Sequence, residues 1–179
     1  MRRHNILLLC MITTFLFLVA YIYCNYCKNP SISNIITSDD CKYIILLGMI
    51  VMNIFTILYE IERKDDISLL IIIFLLIGIY GVIFIKEENN NHYIFAGIVF
   101  LAIISFMAKH FLYNKKNKKN DILFILLLLQ SLLFIITLSN LDNNIFFLEV
   151  FYIITFAIFY IVLHFTNNKT KQNKKFIKK

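Results

Sequence analysis

The chain has 179 residues, 60% of them hydrophobic, with 4 Gly, 1 Pro and no Trp, and a mean hydropathy of +0.75. An apolar share so far above that of a water-soluble domain cannot be folded into one small core, so a soluble catalytic domain is excluded and lipid is the solvent for most side chains. The formal charge of +7, from 18 Lys and Arg against 11 Asp and Glu, sits between and after the apolar runs, where it reports membrane topology rather than nucleic-acid binding.

Six apolar runs follow one another: residues 6–24, 43–59, 67–85, 93–113, 122–138 and 145–165. At about 1.5 Å rise per residue each spans a hydrocarbon core of roughly 30 Å as a helix. A lone strand in lipid would leave its backbone unpaired, so the high β-branched content does not divert these runs from helix. The expected fold is therefore all-α: a polytopic membrane bundle of about six transmembrane helices over residues 1–166, followed by a basic cytosolic tail over 167–179.

The first run follows Arg2 and Arg3 and carries Cys10, Thr13 and Thr14. It is longer than the apolar region of a signal peptide, about 7 to 15 residues, and its end offers no small-x-small cleavage site, so it reads as an uncleaved helix. The segment after it holds Cys24, Cys27 and Cys41. A bridge between Cys27 and Cys41 would close a loop worth on the order of 3 kcal/mol in an oxidising compartment; the alternative is three free thiols. No set of Cys and His has metal-ligand spacing, so no metal is expected.

The second run carries Asn53 midway, and Thr56. After it, Glu60, Glu62, Asp65 and Asp66 flank Arg63 and Lys64, which reads as a solvated charge cluster. The third run has Gly78 and Gly81 on one face and the fourth has Gly97, Ser105 and Ala108, so small residues on both sides of a short loop predict a close-packed pair. Gln130 lies midway along the fifth run. Asn53 and Gln130 at that depth read as interhelical hydrogen-bond partners, each worth about 0.6 to 2 kcal/mol.

Glu149 is the one carboxylate within an apolar run, about one turn below the start of the sixth. One reading has it snorkel to the interface and favour the positive end of the helix dipole. The other makes it a proton or head-group site, with His92 at the start of the fourth run as candidate partner; a solvated His92 is the simpler alternative. His110 and His164 fall near the opposite interface and carry no distinct signal. The basic tail from Lys169 onward suits attraction to anionic lipid, roughly 1 kcal/mol per basic residue near the surface.

Of the 18 basic residues, only Lys28, Lys42 and Lys86 fall in connections on one side, and the other 15 fall on the opposite side. By the positive-inside rule both termini are cytosolic. The sequon Asn168-Lys169-Thr170 then stays unmodified in a secretory-pathway host; a glycan found on Asn168 would place the tail in the lumen.

Residues spread over the whole chain resemble the six-span family of damage-regulated autophagy modulators, which includes a Golgi factor for remodelling lipid anchors. Pro30, Ile32 and Ser33 match the family's first outer loop, and Gly78, Gly81, His92, Ala96, Gly97 and Phe100 its middle helices. Glu149, Phe156, Phe159 and Tyr160 are similar to its last helix. The resemblance implies an endomembrane protein of lysosome, Golgi or ER, with the plasma membrane as alternative, acting in autophagy, lipid organisation or lipid-anchor processing without a defined catalytic residue set.

Motifs for zinc proteases, serine hydrolases, phosphate-binding loops and acyl transfer are missing from the sequence, so no enzyme activity and no cofactor are expected. The expected partners are membrane lipids, with other membrane proteins as a second class and nucleic acid excluded. The leading expectation is a non-enzymatic scaffold or lipid-handling modulator. A small transporter or channel using Glu149 and His92 comes second, and a membrane-embedded lipid-anchor remodelling factor third.

Overall fold

The computed structural model describes residues 3–26, 31–37, 42–86, 89–113, 120–139 and 145–176, apart from the side chains at positions 26, 33, 37, 42, 120 and 167–176. Cys27, Pro30 and Cys41 lie outside the described residues, as does the side chain of Ser33. The described residues form seven helices: α1 (Arg3–Tyr26), α2 (Ile32–Thr37), α3 (Lys42–Arg63), α4 (Asp66–Phe84), α5 (Asn90–Tyr113), α6 (Asn120–Ser139) and α7 (Phe146–Phe176).

All but the short α2 are long and apolar enough to cross a membrane, and only 17 to 33% of each span's apolar window is buried inside the protein. The outward surface is apolar as well, with Phe17, Leu47, Phe74, Ile125 and Phe165 each more than half exposed. Only lipid can solvate such a surface, and the backbone survives there because each helix satisfies its own hydrogen bonds. The chain is built as a multi-pass membrane protein.

The spans pack in a ring, α1 against α3, then α4, α5, α6 and α7, with α7 returning to α1. His4 of α1 and His164 of α7 bring their rings to 5.7 Å at the end of the bundle where the chain starts and finishes, here called the terminal end. The basic stretch after Thr166 does not leave the helix: α7 runs on to Phe176. At the opposite end α2 lies across the ring and touches α1, α3, α4 and α7. Its Ser31 Oγ accepts from the Asn34 amide at 3.0 Å, which starts the helix, and Ile32, Ile35 and Ile36 bury into a core with Ile22, Ile45, Ile83 and Phe146.

Two tight connections set the neighbours. Between α3 and α4 the chain reverses through Lys64 at φ 58°, a left-handed conformation that costs a residue with a Cβ roughly 1–2 kcal/mol. Asp65 then caps α4, its Oδ1 accepting from the Ser68 amide at 3.1 Å. Between α4 and α5, Asn89 Oδ1 accepts from the Asn91 amide at 2.9 Å.

The α4–α5 contact is close because Gly78 and Gly81 carry no side chain, whereas Gly97 has nothing within 4 Å of where a Cβ would stand. A Cβ on Gly81 would fall 2.2 Å from Phe95 Cδ1 and 2.8 Å from Phe95 Cβ. The second of these atoms cannot rotate away. Gly81→Ala is therefore expected to lower stability, because overpacking costs about 1–3 kcal/mol against the roughly 1 kcal/mol that Ala gains in a helix. Gly48→Ala meets only the end of the Leu18 side chain, at 2.4 Å, and is expected to be neutral or mildly stabilising. Thermal unfolding of the two variants in one detergent checks the opposite signs.

Candidate functional site

Inside the ring lies a cavity of about 440 Å³ lined by residues of α1, α2, α3, α4, α5 and α7. Its walls are Leu, Ile, Val, Met, Ala and Phe side chains; the polar residues among them are Asn53, Thr56, Glu149, Tyr152 and Tyr160. Most of their donors are turned into the protein. Asn53 Nδ2 donates to Tyr80 Oη at 3.1 Å, Thr56 Oγ1 to the Met52 carbonyl at 2.9 Å, and Tyr152 Oη to the Phe100 carbonyl at 2.9 Å. The Tyr160 hydroxyl donates to Glu60. A cavity with so few free polar partners is suited to hydrocarbon rather than to water.

Two lining residues are also exposed on the outside of the bundle, Leu16 of α1 at 58% and Ile158 of α7 at 45%. The cavity therefore reaches the lipid-facing surface between α1 and α7. Its lining on α1 runs from Leu8 to Ile22, about 21 Å along the helix axis. That is longer than half of a roughly 30 Å hydrocarbon core.

The α2 end closes on Glu149, whose Oε2 accepts from the Ile32 amide at 2.5 Å. This carboxylate joins the first turn of α7 to the start of α2, a backbone partner in a segment that sequence reading treats as loop. His92 is not the partner of Glu149. It is buried, and its Nδ1 donates to the Ile85 carbonyl at 2.7 Å while Nε2 has no partner among the described residues. The solvated alternative for His92 is thereby corrected: the turn after α4 folds the ring back over the helix end. Gln130 of α6 is fully buried, and its Nε2 donates to the Tyr152 carbonyl of α7 at 3.1 Å.

The terminal end corrects a larger expectation. Glu60 and Arg63 are not solvated: their side chains are 0% and 14% exposed. Glu60 Oε1 accepts from Arg63 at 3.1 Å and from Tyr160. A second Arg63 nitrogen reaches His110 Nε2 at 3.3 Å, and Ser68 Oγ lies 2.8 Å from the same atom. A guanidinium only donates, so His110 Nε2 accepts and the ring is neutral, with its proton on Nδ1. Lys109 donates to Asp65 and, at 2.8 Å, to Ser68 Oγ. Nearby, Tyr59 Oη and His164 Nδ1 are 2.7 Å apart. Two cations and two carboxylates from α3, the α3–α4 turn and α5 thus balance one another, with a hydroxyl from α7 completing the set. The available sequence signal was the spacing: Glu60 with Arg63, and Tyr160 with His164, each share a helix face, at the same depth as Lys109 and His110.

Burial pushes the Asp65 carboxyl up, but the hydrogen bonds from Lys109 and from the Ser68 amide outweigh it and hold the group at about 2, below the ordinary 3.8. A carboxylate with a depressed folded pKa stabilises the fold above its unfolded value and loses that contribution as pH falls through the folded one. Stability is expected to drop as pH is lowered from 3.8 to about 2. Unfolding midpoints measured across that window should lack this component in Asp65→Asn.

Compared with family models, with characterised proteins and with solved structures, the chain matches none.

Proposed function

We propose that the chain is a non-enzymatic endomembrane protein that holds a lipid chain between its helices and acts on membrane lipid organisation, as expected of the autophagy-modulator family it resembles. The observation that carries this reading is the apolar cavity of about 440 Å³ with its opening between α1 and α7. Its volume falls at the lower part of the roughly 300–1,000 Å³ of small-ligand sites, and its walls match hydrocarbon in chemistry. A non-catalytic role fits the lining, where the hydroxyls of Thr56, Tyr152 and Tyr160 donate to protein acceptors and Glu149 accepts from a backbone amide.

The test is reconstitution into phosphatidylcholine vesicles containing a tracer phospholipid with a diazirine on its acyl chain, followed by irradiation and peptide mapping. Adducts are expected on inward-facing Met11, Phe15, Ile153 and Ala157 as well as on outward-facing residues such as Phe17 and Phe165. Adducts confined to the outward-facing set would overturn the reading. In the same vesicles the lipid should be recovered chemically unchanged and trapped ions retained. Lipid turnover would show an enzyme, and a flux stopped by Glu149→Gln would show a transporter.

A further inference from the structure

The mouth of the cavity lies at mid-depth. Leu16 and Ile158, which mark it, each stand within two residues of the middle of their spans, Arg3–Asn25 and Phe146–Thr166. A charged or zwitterionic headgroup cannot pass a mouth surrounded by hydrocarbon without losing its water, so a phospholipid can offer this cavity only a chain. A lipid with one small neutral polar group can enter whole. At the same depth the wall holds a polar group with an acceptor to spare. Asn53 stands at the middle of α3, lines the cavity and is 4% exposed. Its Nδ2 donates to Tyr80 Oη at 3.1 Å, while its Oδ1 accepts from none of the described residues. The hydroxyls of Thr56, Tyr152 and Tyr160 are by contrast turned to the Met52 carbonyl, the Phe100 carbonyl and Glu60. In a pocket otherwise suited to hydrocarbon, an open polar atom of this kind fixes the identity and orientation of the ligand.

Resting on the lipid-chain reading above, we infer that the cavity takes a whole lipid alcohol, a sterol or a long-chain alcohol, whose hydroxyl donates to Asn53 Oδ1 while its hydrocarbon lies along the walls. An amide oxygen needs a donor, which a hydroxyl supplies and a ketone, an ether or an ester does not. An ammonium would also donate, but an ion at the middle of a span is far costlier than a neutral group. A hydroxyl at that depth in bare lipid has no partner; Asn53 gives it one and gains a donor for its own buried oxygen. From Asn53 the α3 lining continues to Ile45, about 12 Å along the axis, whereas in the other direction it ends at Thr56. The hydroxyl therefore sits toward the terminal end, with the hydrocarbon extending toward α2.

The experiment uses two pairs of diazirine-bearing probes with the full-length protein in phosphatidylcholine vesicles: a sterol with its deoxy counterpart, and a long-chain alcohol with the alkane of matched length. Labelling of Met11, Phe15, Ile153 and Ala157 in the cavity is divided by labelling of Phe17 and Phe74, outward-facing residues near the middle of their spans. This ratio cancels differences in how much of each probe reaches that depth. In at least one pair the hydroxyl probe is expected to exceed its deoxy partner about fivefold, equivalent to about 1 kcal/mol, and the pair that shows the excess identifies the source of the alcohol. Asn53→Leu, of similar volume, is expected to bring that pair to parity while labelling by the deoxy probe persists. Thr56→Val, which removes a hydroxyl already given to the Met52 carbonyl, is expected to keep the preference. Equal ratios within both pairs in the unaltered protein would overturn the inference while leaving the cavity reading intact, as would a preference that survives Asn53→Leu or vanishes in Thr56→Val. Labelling of outward-facing residues alone by all four probes would overturn both.

Discussion

Glu60→Ala is expected to cost about 3–5 kcal/mol of stability, the effect of removing one member of a buried ion pair. The side chain is completely buried and its Oε1 accepts from both Arg63 and Tyr160. Without it the Arg63 guanidinium, itself largely buried, keeps Asp65, 3.9 Å away, as its one carboxylate neighbour among the described residues. The Tyr160 hydroxyl at the same time loses its acceptor at a fully enclosed position, and an orphaned buried donor adds its own desolvation cost. The double variant Glu60→Met with Arg63→Met is expected to recover much of the loss, because apolar residues of similar size remove both charges together. Unfolding in mixed detergent micelles, followed for the single and double variants, measures the difference. A single variant as stable as the parent would mean that the cluster contributes nothing net.

Ala157→Phe is expected to reduce labelling of the cavity by acyl-chain probes at least tenfold, equivalent to about 1.4 kcal/mol, while leaving the bundle folded. Ala157 lines the cavity beside Ile153, Phe156 and Ile161, on the same helix as the exposed Ile158 that marks the opening. A phenyl ring there has empty volume to enter, so the cost of overpacking that applies to a filled core does not arise. It occupies the space that a lipid chain would use. Peptide mapping after irradiation checks the loss, and an unchanged melting midpoint shows that the fold has not been lost with it. Undiminished labelling at Met11 and Phe15 in this variant would mean that the ligand passes elsewhere.

The two predictions meet at one residue. Tyr160 contributes its ring to the cavity floor and its hydroxyl to Glu60, and the ring stacks on Phe106 at 5.2 Å. The terminal-end cluster therefore holds the cavity shut on one side, as α2 and Glu149 hold it on the other. Asp65 and Lys109 fix the start of α4 against α5 in the same layer.

Hydropathy and spacing were enough to identify six spans, to place Asn53 and Gln130 at depth and Glu149 about one turn inside the last span, and to mark Gly78 and Gly81 as a packing face. These features follow from which solvent a segment prefers, and that is a property of the residues in order. What the linear pattern did not show is which side chains at one depth would meet. Glu60 and Arg63 sit at the edge of an apolar run beside Glu62, Asp65 and Asp66, where composition reads as water-facing. Closure of the ring brings Tyr160 and His110 over them and excludes water. The α2 helix escaped notice for a related reason: six residues are too few to show a helical period, and its stability comes from burying three isoleucines and from a carboxylate 117 positions away. The cavity is a property of the ring alone, since its walls, apart from Asn53, Thr56, Glu149, Tyr152 and Tyr160, are as apolar as the surfaces facing lipid, and only the arrangement of helices around it separates an inner hydrocarbon surface from the outer one.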